Sequence, residues 1–296
     1  MNKGILYGAG AYLIWGFFPV YFKLIHAVPA VQILSHRIAW SFVFLGLIIY
    51  YRKEAGSLKN VLALPGKRSG LVIAACLLAV NWLTYIWGVN AGFVVETSLG
   101  YFINPLVSVM LGVIFLREKL RAWQWVAVGL ASIGVLYLTI SYGALPWISL
   151  VLAFSFGLYG LVKKTLALNS LHGLTLETAV LFIPATLFLF YSEIDGSGAL
   201  GHLGGWISLL LVLSGPITAI PLLLFGSAAR QINLSTLGIL QYIAPTCQVF
   251  LGVVVYGEEF SRARLLGFGI IWAALLILLA EGVIHQRQRA PRTAAA

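Results

Sequence analysis

Three residues in the stretch SLGYFINPLVSVMLGVIFLRE, Tyr101, Asn104 and Ser108, interrupt an apolar run at steps of three and four. On a helix they share one face with Thr97 and Gly112. A second apolar run carries Gln241, Pro245, Gln248 and Gly252 on one face, and a third carries Asn81, Tyr85 and Gly88 with Trp82 beside them. Trp15 and Tyr159 fall near the middle of two further runs. Amides, phenols and indoles make and release hydrogen bonds and cover flat surfaces, so the chemistry they suit is reversible binding of a flat, amphipathic solute. The bland alternative is helix-to-helix packing, in which each membrane hydrogen bond is worth about 0.6 kcal/mol.

Three charges also lie in or near apolar runs: Arg37, Glu96 and Glu177. A charge at the centre of a membrane helix costs about 2.5–3.5 kcal/mol on insertion scales, so each is expected to have a partner. Glu96 is the expected partner of Arg37, and Lys164 or Arg230 that of Glu177. Structural pairing accounts for such residues; so does gating, or carriage of a proton as coupling ion by one carboxylate. The histidines, His26, His36, His172, His202 and His285, are scattered near ends and loops. The chain has no G-x-x-x-x-G-K-[ST] loop, no H-E-x-x-H pair and no cysteine–histidine cluster, which argues against ATP hydrolysis and metal catalysis. No cofactor and no enzyme activity are expected. A channel is the other rival, but no ring of charges or filter-like loop stands out.

These residues must be positioned by elements that live in lipid. Of the 296 residues 60% are hydrophobic and only 9% charged, with a mean hydropathy of +0.96; an ordinary soluble domain carries about 25% charge. Apolar runs of about 20 residues recur along the chain, each long enough to cross a hydrocarbon core as a helix. They are apolar all round, which rules out the alternation a barrel strand needs. The pattern predicts an all-α membrane protein of ten helices. The first five fall near Gly4–Ile25, Val31–Tyr51, Ser69–Asn90, Val94–Leu116 and Ala122–Ser141. The second five fall near Pro146–Lys163, Leu174–Tyr191, Trp206–Ala229, Leu234–Gly257 and Ala263–Ile284.

A net charge of +10 could suggest nucleic acid, but its placement points to the bilayer instead. With ten spans, 15 lysines and arginines fall on the side of the N-terminus and the C-tail, and only Lys23, Arg262 and Arg264 on the other. The positive-inside rule then puts both termini in the cytoplasm. Cys76 and Cys247 sit inside apolar runs and make no disulfide framework.

The stripe is written twice. From Tyr101 to Glu118 the chain aligns without a gap onto residues 241–258, pairing Pro105 with Pro245, Gly112 with Gly252 and Glu118 with Glu258. This predicts two duplicated five-helix units, 1–141 and 142–284, followed by a basic tail, 285–296. Five is odd, so the second unit enters the membrane from the opposite face, a plan recurrent among transporters with midplane sites.

The blocks LSHRIAWS, NWLTYIWGVNAG, SLGYFINPL and STLGILQYIAPT resemble the RarD branch of the EamA permeases, in the drug/metabolite transporter superfamily. The resemblance spans residues 3 to 285 or so. It implies ten helices, cytoplasmic termini in a bacterial inner membrane, and a central cavity open to one side at a time, with small molecules exported. The expected function is therefore a secondary transporter acting by alternating access as monomer or homodimer. Trp15, Asn81, Trp82, Tyr85, Tyr101, Asn104, Tyr159 and Gln241 are its candidate substrate contacts, and Arg37, Glu96 and Glu177 its candidate gating or coupling charges.

Overall fold

Phe17 interrupts the first predicted span, and the cause lies two residues on. In the computed structural model, α1 (Lys3–Gly16) stops there and α2 (Phe18–Leu24) starts with Pro19 in its first turn. Proline has no N–H to give the carbonyl four residues back, which here is that of Trp15. The structure describes residues 3–91, 93–142, 146–257 and 262–289.

The remaining helices are α3 (Ala30–Tyr51), α4 (Ala55–Ala63), α5 (Lys67–Asn90), α6 (Val94–Leu116), α7 (Ala122–Tyr142) and α8 (Trp147–Leu166). They continue as α9 (Ser170–Ile194), α10 (Gly205–Gln231), α11 (Leu234–Leu240), α12 (Ile243–Phe250) and α13 (Arg262–Arg289). Among the described residues, nine helical stretches are long and apolar enough to cross a membrane, and Leu265–Leu278 within α13 adds a shorter tenth. The all-α membrane architecture is as the sequence pattern predicts, with three local differences besides the break at Phe17. The ninth span is broken at Gln241–Tyr242 and ends in a single π-helical stretch, Leu251–Val255. The charged loop after Tyr51 contains the short helix α4. The last helix runs on to Arg289, where the apolar pattern ends the span at Ile284.

The two halves of the chain interleave. α6 packs against α8 and α11, α3 lies between α9 and α10, and α1 lies against α10 and α12. α7 and α13 form a side pair around Ala127, Ala131, Phe268 and Ile271. A close approach makes one glycine necessary: a Cβ on Gly238 would stand 2.8 Å from the Pro105 carbonyl oxygen and from Ser108 Cβ. α11 can therefore reach α6 only without a side chain there. Outside, Phe115, Trp123, Ile140 and Phe190 are exposed, the reverse of a water-soluble protein and what a lipid solvent requires.

Candidate functional site

Polar groups in lipid must be satisfied by protein or face a polar space, and the stripes on α6, α5 and the broken ninth span do both. They converge on one cavity of about 100 Å³ inside the bundle. Trp15, Asn81, Trp82, Tyr85, Tyr101, Asn104 and Gln241 all line it, joined by Arg37. The first half thus supplies α1, α2, α3, α5 and α6, and the second supplies Phe156, Thr218, Gln241 and Gln248. Tyr159 does not line this cavity. It is fully buried against Phe225, ring centroids 5.8 Å apart and nearly parallel.

Each polar group has its own degree of commitment. Asn81 donates to the Leu152 carbonyl at 2.9 Å and to Ser155 Oγ at 3.0 Å, so its amide nitrogen serves packing against α8. Asn104 Oδ1 accepts from Ser108 Oγ at 3.4 Å, along the helix. Tyr85 and Tyr101 meet edge to face at 5.8 Å. Gln241 Oε1 and Tyr12 Oη, in contrast, are buried without a hydrogen-bond partner among the described residues, and both residues line the cavity. A buried, unpaired polar atom costs about 1–3 kcal/mol, and neither atom is open to the cavity in this conformation.

The helix breaks shape the wall. Gln248 Nε2 donates to the Trp15 carbonyl at 3.3 Å, the acceptor that Pro19 leaves without its helical donor. Pro245 likewise deprives the Gln241 carbonyl of its usual donor, and Ala244 N takes it in a tighter turn at 3.2 Å. Gly16 closes the join: a Cβ there would stand 2.6 Å from Cys247 Cβ.

The charges fall into two clusters. Arg37 lies about two turns into α3, only 6% exposed. Its Nε donates to Thr218 Oγ1 at 3.0 Å, and its Cζ lies 4.8, 5.4 and 5.6 Å from the ring centroids of Trp82, Phe22 and Phe18. Glu96, its expected partner, begins α6, but its side chain lies outside the described residues. Glu177 is 0% exposed, and its partner is Lys163, at 2.8 Å, not Lys164 or Arg230 as expected. Tyr159 Oη donates to the second carboxylate oxygen at 3.1 Å. The correction has a geometric cause: neighbouring residues on a helix point about 100° apart, so only one of the two lysines can face α9. Lys164 turns instead to the end of α10, donating to the Ala229 and Ile232 carbonyls.

Sequence reasoning missed Tyr12, Phe18, Phe22, Phe156 and Thr218, which look like any ring or hydroxyl in an apolar run. It also missed what Glu118 does. That carboxylate accepts from Leu234 N, Ser235 N and Ser235 Oγ at 2.6–2.8 Å, capping α11 from the far end of α6. The match of Glu118 to Glu258 in the repeat was the signal available.

Residues 2–140 and again 145–280 match the EamA-like transporter family. The chain belongs to that family. This EamA-like transporter is 47% identical over 295 residues to Protein RarD of Streptomyces exfoliatus, covering 100% of this chain and 94% of that one. It is 43% identical over 287 residues to Protein RarD of Escherichia coli strain K12, covering 97% of each. A solved crystal structure shares the fold at a TM-score of 0.71 with 18% identity, over 93% of this chain and 96% of that chain. The EamA chain described here is a multi-pass transporter of the RarD type, its place the bacterial inner membrane.

Proposed function

We propose that this transporter is a secondary carrier that exports small amphipathic solutes by alternating access around the cavity described above. One observation carries the proposal: one space inside the bundle is walled by both halves of the chain and lined by Arg37, Tyr101, Asn104, Thr218 and Gln241. A carrier needs a site reachable from either face, and a space between two repeated units meets that need. The two separate family matches, at 2–140 and 145–280, support reading the halves as such units. The rings bury a flat surface, while the amides and Thr218 orient it. Glu177 is the candidate proton carrier, held between Lys163 and Tyr159. The charge asymmetry of the loops supports cytoplasmic termini.

Transport by the full chain in proteoliposomes, with a compound panel and an imposed proton gradient, tests this. Saturable, gradient-driven movement is expected. Flux without saturation would favour a pore, and a chemical product would favour an enzyme. For topology, single cysteines are placed by Ser57→Cys and Ser197→Cys in a background lacking Cys76 and Cys247. In intact cells a membrane-impermeant reagent should label the cysteine at position 197 and spare that at 57; the reverse pattern would overturn the orientation.

A further inference from the structure

Each described glutamate other than Glu96 has a partner away from the cavity. Glu54 meets His172 at 2.7 Å, Glu177 meets Lys163, and Glu193 meets His202 at 3.0 Å. Glu118 caps α11, and Glu281 pairs with Arg121. No carboxylate is among the described residues that line the cavity, yet a guanidinium is. Arg37 is nearly enclosed, and among the described residues its hydrogen bond goes only from Nε to Thr218. The guanidinium carries four further N–H donors on its two terminal nitrogens.

We infer that the cavity selects solutes carrying one anionic group, a carboxylate on an aromatic or other flat apolar body, with Arg37 as the counter-ion. This rests on the reading of the cavity as the substrate site. Rings stabilise a buried cation through their faces, but they offer no lone pairs to its N–H groups. Trp82, Phe22 and Phe18 therefore hold Arg37 without using up its hydrogen-bonding fork. The Nε–Thr218 bond fixes the plane of the group, since the guanidinium is rigid, and a preoriented fork matches a carboxylate bidentately. The same fixed positive charge repels a cationic solute, although the aromatic wall alone would suit one. A neutral solute leaves the fork unmatched.

Calorimetric titration of the full chain in lipid nanodiscs, with empty nanodiscs as blank, reads the preference directly. The probes are 3-phenylpropionate, 3-phenylpropanol and 3-phenylpropylamine, which share a ring and chain and differ in charge. The carboxylate should bind about tenfold or more tightly than the alcohol and the amine, the difference expected of one charge-assisted pair. Arg37→Gln should bring the three affinities together, and Arg37→Lys should keep a smaller preference. The wild-type ranking decides even if a variant misfolds. An alcohol or amine that binds as tightly as the carboxylate overturns the inference while leaving the cavity as a binding site. So does a carboxylate preference that survives Arg37→Gln. Equal wild-type affinities that become carboxylate-selective in Glu96→Gln would assign the guanidinium to Glu96 and also overturn it. If no probe binds, or if Tyr101→Ala and Gln241→Leu leave all binding unchanged, the cavity reading falls with it.

Discussion

Two buried cations in this protein are accommodated by opposite means. Lys163 has a carboxylate at 2.8 Å, and that carboxylate's other oxygen is occupied by Tyr159. Both oxygens of that carboxylate are bonded, and in this conformation none of the three residues lines the cavity. Arg37 has rings on several sides, one hydroxyl, and a cavity in front. The first arrangement ties α8 to α9; the second, under the proposed function, keeps a charge facing the cavity. A buried charge in lipid thus does not define a role by itself. What decides is how much of its bonding capacity its neighbours leave over.

The sharpest way to break this contrast is at Glu177. Glu177→Gln leaves Lys163 buried and unpaired, which should cost about 3–5 kcal/mol of stability. The double change Lys163→Met with Glu177→Leu should recover most of it. Arg37→Gln should cost only about 1–3 kcal/mol, the scale of ring contacts and one hydrogen bond. Thermal unfolding of the three in one detergent checks the order; Glu177→Gln unfolding no earlier than Arg37→Gln would erase the distinction.

Transport should rank the clusters differently. Tyr101→Ala, Asn104→Leu and Gln241→Leu should each weaken transport about tenfold, one lost hydrogen bond or ring contact, at nearly unchanged unfolding temperature. Normal rates at normal expression would return these residues to helix packing. A smaller effect sharpens the picture at the rim of the second half: Glu118→Ala removes the cap of α11 and should destabilise by about 0.5–2 kcal/mol. Smallest of all, Gln248→Leu removes the bond to the Trp15 carbonyl, worth about 0.6 kcal/mol on the membrane scale. Its measurable signature should be a changed transport rate with the melting point held.

The parts of the site legible in the sequence were those that lipid makes conspicuous. Tyr101, Asn104, Asn81 and Gln241 stand out because a polar atom in an apolar run must face inward, and helical period gives the face. Tyr12 and Phe156 have no such signature, since a ring is at home in hydrocarbon and in a cavity wall alike. The choice of Lys163 over Lys164 was hidden because the exact rotation of α8 relative to α9 decides it, and an apolar pattern fixes rotation only loosely. The break at Phe17 was hidden for another reason. Pro19 raises the question, but the answer comes from Gln248, 229 positions later in the chain.

That join sets how the halves can move. Gly16 rests against Cys247, and the amide of Gln248 grips the carbonyl one residue before it. Two interrupted helices, one from each half, are thereby meshed like teeth at their weak points. The clamp ties α12 to the end of α1, on the near side of the break at Phe17, so α12 is held to α1 and not to α2. Under the proposed alternation, the α1–α12 join is a common pivot beside which both interrupted spans bend.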